Sequence, residues 1–350
     1  MASISPRSSV DRVNYLNIGL MIVSCVAAYA LPFELFLFSY AILGPLHYLT
    51  QIFWLHDREY FTRDQRGKRR WLVLVGAVMV VVLYGIAASL RGRTVAPVWE
   101  ISLFYLAFLG AVAATDILGR AARTLVFTIG VVALFAWSGS RSYAVVAFLI
   151  ITIVHVFVLT GGFILYGALR SRSASALLSL AAFVACAGAF FIFVPSAQAY
   201  SIDAYVRESY GSFNALNGEL IRLFRLGSGT TAHEVYQSPA GLMVMRFIAF
   251  AYTYHYLNWF SKTSVIGWHH SARPRAVVIA AVWTLAMVLY ARDFRLGMDV
   301  LYSLSILHVM LEFPLDQKTF RSLGGELWAI ARRTGPPVGA PARDGMWPGR

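Results

Sequence analysis

Ten long apolar runs, separated by short loops that carry most of the Lys and Arg residues, dominate this sequence. About 20 apolar residues are needed for one helix to cross the hydrocarbon core of a membrane. Hydrophobic residues make up 58% of the 350 residues and charged residues only 13%, whereas soluble domains carry about 25% charged residues. The sequence therefore predicts an all-α fold, a polytopic integral membrane bundle in one domain over residues 1–330. The predicted spans are 15–31, 33–55, 71–90, 98–118, 124–138, 143–168, 176–196, 239–260, 276–292 and 296–316.

The distribution of basic residues predicts the orientation of the bundle. With the N-terminus placed inside, the inner segments hold 21 of the 30 Lys and Arg residues and the outer loops hold 8. Because Lys and Arg mark cytoplasmic loops, we expect both termini in the cytoplasm and a location in a bacterial inner membrane. The net charge of +13 is spread over these short loops, which favours the lipid bilayer as a partner and argues against nucleic acid.

Three further segments can be interpreted from their sequence: the long outer loop, the tail and the first apolar run. The long outer loop, 197–238, has an amphipathic pattern over 204–226 and is expected to form a helix that lies on the membrane surface or caps the bundle. The tail, 331–350, is rich in Gly, Pro, Ala and Arg and is expected to be disordered. Ala28-Tyr29-Ala30 is similar to a signal-peptidase site, but a second apolar run follows at once, so we interpret the first run as a span.

Four of the eight histidines lie inside apolar runs, where a polar side chain is costly unless it faces the protein interior. They are on the second, sixth, eighth and tenth spans, which all run in one direction. At 1.5 Å per residue, two of them lie roughly 12 Å from the cytoplasmic end of the span, and the others roughly 8 Å and 20 Å. The four imidazoles are therefore expected to converge on one metal. These residues are His47, His155, His255 and His308.

Imidazole ligands suit iron, copper or zinc and do not suit magnesium or calcium. Cys25 and Cys186 lie on other spans, which argues against a structural zinc site and favours Fe(II). Metal-bound histidines usually donate their second N–H group to an acceptor, and neighbours one helical turn away are the candidates. They are Gln51 for His47, Thr152 for His155, Tyr252 for His255, and Ser305 and Glu312 for His308. Of these, Gln51, Tyr252 and Glu312 are the candidate catalytic residues.

Four short stretches carry a resemblance to a known family: Gly44–Gln51, 153–157, 250–255 and 306–312. Their order and spacing resemble the membrane β-carotene dioxygenases of bacteria and archaea, the Brp/Blh type. The resemblance implies one histidine on each of four helices, a single non-haem iron, and cleavage of a polyene by O2. The chain departs from the family pattern at the first two sites, where Gln51 and Leu159 stand in place of an Asp.

Three functions follow from these patterns. The first is a membrane-embedded non-haem iron oxygenase that acts with O2 on a lipid-soluble substrate, such as a carotenoid or an isoprenoid. The second is a proton-coupled transporter in which buried histidines, Asp116 and Arg246 form a relay; Asp116 is equally suited to the membrane interface. The third is a membrane scaffold without catalysis.

Overall fold

The computed structural model describes residues 6–93, 98–138, 140–194, 200–262 and 273–332, and within these ranges the secondary structure is helical, with no strand. Each of the ten predicted spans is largely helical in the described residues, so the predicted all-α membrane fold is confirmed. The helices are α1 Pro6–Ala30, α2 Pro32–Phe38, α3 Gly44–Asp57, α4 Gln65–Ser89, α5 Val98–Ala114, α6 Arg120–Trp137, α7 Arg141–Leu149, α8 Thr160–Ser171, α9 Ala174–Ile192, α10 Ala204–Tyr210, α11 Asn214–Leu223, α12 Ala232–Gln237, α13 Pro239–Ser261, α14 Arg273–Arg292 and α15 Phe294–Ala331.

Two π-helical segments interrupt the second and sixth spans. Ser39–Leu43 joins α2 to α3, and Ile150–Leu159 joins α7 to α8. A π turn contains an extra residue, so it rotates the side chains that follow it relative to a regular α-helix, and such turns are frequent at functional sites.

The helices form two compact units, each made of separate stretches of the chain. The first unit consists of Met1–Leu43, Val156–Ala276 and Phe320–Arg350. The second unit consists of Gly44–His155 and Val277–Thr319.

In the first unit, α1 and α9 run parallel. Near the start of both helices the Asn14 amide donates to Ser175 Oγ at 2.9 Å, and near their ends the Tyr29 hydroxyl donates to the Ala189 carbonyl oxygen at 2.6 Å. Burial of the apolar faces between these helices supplies most of the stability of such a pair.

Helix α13 runs antiparallel to α1 within the same unit. Tyr254 donates a hydrogen bond to Asn17 at 3.1 Å, and about two turns earlier in α13 the Arg246 guanidinium lies 5.4 Å from the ring centre of Tyr29. Sixteen residues of α13 are buried, which explains why this helix tolerates Arg246, Asn258 and several tyrosines.

In the second unit, α5 returns along α4. The backbone N–H of Arg63, just before α4, donates to the carbonyl oxygen of Ala114 at the end of α5 at 2.9 Å. About two turns further along, Trp71 Nε1 donates to the Ala107 carbonyl oxygen at 3.2 Å. Helix α6 starts next to the end of α5, where Arg123 donates to the Ala113 carbonyl oxygen at 3.3 Å. The start of α6 is therefore also near the start of α4.

Eight of the helical segments in the described ranges are long and apolar enough to cross a membrane: Val10–Ala30, Pro32–Asp57, Gln65–Ser89, Arg120–Trp137, Ser142–Ser171, Ala174–Ile192, Pro274–Arg292 and Phe294–Ala331. The other two predicted spans are α5, which has 17 residues, and α13, whose polar residues lower its mean hydropathy. Both are helical and run beside helices that do qualify, so length and hydropathy support eight of the ten predicted spans.

The remaining segments differ in detail from the expectations. The amphipathic stretch of the outer loop is not one helix but α10, a 3₁₀ turn at Gly211–Phe213 and α11. Its expected apolar face is buried at Val206, Leu216 and Leu220, whereas Leu223 is exposed. Helix α15 continues to Ala331, well beyond the predicted end at 316. Residues 333–350 of the predicted disordered tail lie outside the described residues.

Candidate metal centre

Three helical segments of the second unit supply a buried polar cluster. His47 is on α3, one turn after a π-helical segment, and His155 lies within the π-helical segment Ile150–Leu159. Helix α15 supplies His308, Glu312 and Asp316. The spacing of four residues places these last three side chains on one face of the helix.

The imidazoles of the cluster are in direct contact. Nε2 of His155 lies 3.2 Å from Nε2 of His308, and the ring centres of His47 and His308 are 5.4 Å apart. The ring of Tyr48 stacks on His308 with centres 4.2 Å apart and planes inclined by 22°. The three imidazoles are 1–3% exposed, so stacking and packing hold them in place away from water.

Two carboxylates complete the cluster. Oε2 of Glu312 lies 3.9 Å from Nε2 of His155. One ligand atom from each of His155, Glu312 and Asp316 lies within 4.8 Å of the others, and all three residues are buried. This group can therefore hold a metal ion.

The donor set fits a metal better than it fits a set of isolated hydrogen bonds. Two imidazole nitrogens that bind one metal at about 2.0–2.1 Å lie roughly 3 Å apart, close to the observed 3.2 Å between His155 and His308. An N–H···N hydrogen bond has a similar length, so that distance alone does not decide. Among the described residues, Oε2 of Glu312 and both carboxylate oxygens of Asp316 have no hydrogen-bond partner. A buried carboxylate without a partner is costly, and a cation or protons must compensate it.

Of the predicted partners of the histidines, Gln51 contacts the cluster, whereas no contact of the threonine or the serine with it is observed among the described residues. Gln51 is 2% exposed, and its side chain hydrogen-bonds to the carboxylate of Glu312. It therefore contacts a candidate ligand on another helix in addition to sharing α3 with His47. Thr152 donates to the carbonyl oxygen of Phe148 at 2.7 Å. No contact of Ser305 with the cluster is observed among the described residues.

His255 and Tyr252 belong to the first unit. Nδ1 of His255 lies 2.9 Å from Oγ1 of Thr160. The Tyr252 ring packs edge-on against Phe36, with ring centres 5.0 Å apart. The hydroxyl of Thr160, a residue that the sequence did not single out, is thus a partner of His255. That His255 binds a metal together with the other histidines stays a prediction.

Two residues considered for a relay lie in other surroundings. The side chain of Asp116 is 61% exposed and pairs with Lys318 at 3.0 Å, as expected of a carboxylate at the membrane interface. Arg246 is buried in the first unit against Tyr29.

Asp316 is the functional candidate that the sequence reasoning missed. It is the last residue of the predicted span 296–316, and the sequence analysis assigns it no role. The signal that identifies it is the spacing of His308, Glu312 and Asp316, since residues at i, i+4 and i+8 share one helix face.

The first unit contains a separate apolar cavity of about 820 Å³. Gly161, Gly162 and Gly188 leave space in its wall, and the rings of Phe183 and Phe247 line it. Its volume falls within the range of sites for small organic ligands, about 300–1,000 Å³.

Comparison of the chain with models of protein families, with curated proteins and with solved structures found no match. The resemblance to the β-carotene dioxygenases therefore stays a prediction that rests on the four sequence stretches.

Proposed function

We propose that this protein is a membrane-embedded, non-haem iron oxidoreductase that acts on a lipid-soluble substrate. The buried cluster of His155, His308, Glu312 and Asp316 is the observation that carries the proposal. Two imidazoles and one carboxylate are the ligand set that non-haem Fe(II) oxygenases use, and His155, His308 and Glu312 supply that set.

Bound iron would supply activation of O2, which the side chains of the protein lack. Asp316 lies beside Glu312 and would serve as a fourth ligand or as a nearby acceptor. His47, whose ring adjoins that of His308, is a further candidate ligand. His255 is the fourth histidine ligand that the sequence predicts.

The surrounding residues would orient these ligands. The amide of Gln51 donates to the carboxylate of Glu312, which fixes that side chain, and the ring of Tyr48 on His308 fixes the imidazole plane. Such partners of metal ligands are important for metal affinity. Burial of the cluster excludes water, which strengthens electrostatic interactions and limits side reactions.

An apolar substrate agrees with the rest of the molecule. Eight of the described helical segments have the length and composition of membrane spans, so an apolar compound can reach the protein through the bilayer. The aromatic and aliphatic lining of the cavity in the first unit supports binding of an apolar ligand. A carotenoid or isoprenoid remains the substrate class that the sequence resemblance implies.

Metal analysis of the purified full-length protein tests the proposal. We expect near-stoichiometric iron in the wild type and loss of most of it in His155→Ala, His308→Ala and Glu312→Gln. His233→Ala is the matched control, because His233 is exposed in the outer loop, and it should retain the wild-type iron content. Circular dichroism and gel filtration would establish that each variant is folded. A folded wild-type protein without iron after reconstitution would rule out the metal function.

A proton relay is the second candidate, and one specific observation favours it. The nitrogen of His155 hydrogen-bonds to that of His308 at 3.2 Å beside two buried carboxylates, an arrangement that can pass protons inside a membrane. Under this alternative, metal-free protein in vesicles would carry protons, and Glu312→Gln would stop the flux.

A further inference from the structure

A basic cavity of about 610 Å³ lies in the second unit where α4 and α6 begin and α5 ends. It takes no part in the metal-centre proposal. Its polar wall holds five arginines and one aspartate: Arg63, Arg66, Arg70, Arg120, Arg123 and Asp64.

Some of these charges have partners within the protein. Asp64 caps α4 by accepting from the Gly67 N–H at 2.6 Å, and it also accepts from Arg63 Nε at 3.0 Å. These donors hold the pKa of the Asp64 carboxyl below its ordinary value. Arg123 donates to the carbonyl oxygens of Ala113 and Thr115 at 3.3 Å each.

Among the described residues, no acceptor fixes the side chains of the other three arginines. Arg66, Arg70 and Arg120 are exposed, and no ion pair or side-chain hydrogen bond joins them to the described residues. Like charges on one cavity wall repel each other, so an anion between them would relieve that repulsion. Guanidinium groups bind phosphate through paired N–H donors.

The rest of the cavity lining is largely apolar and comes from residues further from the ends of α4, α5 and α6 than the arginines are. They include Trp71, Leu74, Gly110 and Phe127. Trp71 is 1% exposed and its indole N–H is already bonded to the Ala107 carbonyl oxygen, so it closes this part of the lining without presenting a free polar group. A small anion such as inorganic phosphate would make no favourable contact with these apolar residues.

We infer that this cavity is a binding site for an anionic phospholipid, with the phosphate headgroup between Arg66, Arg70 and Arg120 and an acyl chain along Leu74 and Phe127. Basic pockets between membrane helices on the cytoplasmic side are a known way to bind such headgroups. Both helix starts belong to loops that the distribution of Lys and Arg places inside, where anionic lipids attract positive charge. The two loops are separated in sequence by α4 and α5, so the site exists only in the folded unit.

Competition binding with the full-length protein in an uncharged detergent tests the inference. A fluorescent phosphatidylglycerol bound to the protein would be challenged separately with unlabelled phosphatidylglycerol, with phosphatidylcholine that has the same acyl chains, and with inorganic phosphate. We expect phosphatidylglycerol to compete roughly tenfold better than phosphatidylcholine, because each basic residue near the headgroup adds to the affinity. Inorganic phosphate should not compete at millimolar concentration.

A matched pair of triple variants locates the site. Arg66→Gln, Arg70→Gln and Arg120→Gln together should weaken phosphatidylglycerol binding roughly tenfold or more. Arg91→Gln, Arg93→Gln and Arg292→Gln remove the same charge from exposed positions outside the cavity and should leave binding unchanged. Equal losses in both variants would overturn the inference in favour of non-specific charge attraction. Competition by inorganic phosphate as strong as that by the lipid would also overturn it, in favour of a small-anion site. Neither result depends on whether the histidine cluster binds iron.

Discussion

At the scale of single residues, the acidic side chains of α15 decide how the histidine cluster is to be interpreted. Contacting histidines are explained equally well by a hydrogen bond and by a shared metal. Glu312 and Asp316 are 5–6% exposed, and two anions so close together and so far from water require compensation by positive charge. A cation satisfies both carboxylates and the imidazoles at once.

Asp316→Asn separates the metal function from a merely structural one. In chelator-treated protein, the variant should be about as stable as the wild type or more stable, because it replaces a buried carboxyl group that has no hydrogen-bond partner among the described residues. Adding Fe(II) should raise the Tm of the wild type, since a ligand that binds only the folded state stabilises it, and should leave the Tm of the variant nearly unchanged.

Asp116→Asn is the control for that experiment, because Asp116 is an exposed carboxylate that pairs with Lys318. Loss of a surface ion pair changes stability by about 1 kcal/mol or less, and the response to metal should be that of the wild type. An equal rise of Tm in Asp316→Asn and the wild type would remove Asp316 from the site.

The hydrogen bonds of Glu234 predict how the stability of the outer loop depends on pH. Its carboxylate accepts from the Ser228 hydroxyl and from the backbone N–H groups of Ser228 and Thr230, which lowers its pKa to about 2. A lowered pKa in the folded state contributes stability above the ordinary pKa of Glu, and this stability is lost as the pH falls through about 2. Hydrogen exchange of residues 228–234 should therefore remain slow at pH 4 and accelerate only near pH 2. After correction for the intrinsic pH dependence of exchange, the Glu234→Gln variant should lack this transition. An unchanged transition in the variant would show that Glu234 does not cause it.

How much of the site could be predicted depended on the chemistry of each residue. His47, His155 and His308 stand out because imidazoles are rare in apolar runs, and the structure brings these three together. Asp316 did not stand out because a carboxylate beside polar residues looks like the end of a span. The contact of Gln51 with Glu312 joins two helices far apart in sequence, so no local pattern encodes it.

At the scale of elements, apolar runs predict where helices lie but not how they are wound. The segment Ile150–Leu159 is π-helical, although its sequence is as apolar as that of a regular span. Helix α15 continues through Pro314 to Ala331, because once it leaves the apolar region its polar residues do not prevent helix formation. Winding and length of this kind depend on tertiary contacts, which outweigh local propensity.

Gly218 tests whether the outer loop is a packed element. A Cβ added at Gly218 would collide with the carbonyl oxygen of Gly229, whose own φ of +63° favours glycine. Backbone atoms cannot move aside easily, so Gly218→Ala should destabilise the loop by about 1–3 kcal/mol and speed its proteolysis between α11 and α12. Gly211→Ala is the control, because a Cβ there meets no atom within 4 Å. Equal resistance of the two variants would show that the approach of Gly218 to Gly229 does not stabilise the loop.

At the scale of the whole molecule, the directions of the helices bear on how many times the chain crosses the membrane. In the second unit α5 runs antiparallel to α4. It also runs antiparallel to α6, because Arg123 reaches the Ala113 carbonyl oxygen and Gly130 lies against Leu109, so α4 and α6 run parallel. Two parallel crossings need a third, antiparallel one between them, and α5 is the helix available. With 17 residues, α5 is at the lower limit of about 17 for a span. In the first unit α1 and α9 also run parallel, which agrees with their positions as first and seventh of ten crossings.

An even number of crossings leaves both termini on one side, and the distribution of basic residues predicts which side. The segments assigned to the inside hold 21 Lys and Arg residues against 8 outside, and basic loops resist translocation. A reporter that fluoresces only in the cytoplasm should therefore be active when fused after Arg350. The same reporter inserted after Gly227, in the turn between α11 and α12, should be inactive, and a reporter that requires export should give the reverse pattern at both positions. Activity of the exported reporter after Arg350 would invert the orientation, and with it the side on which the arginine cavity faces anionic lipid.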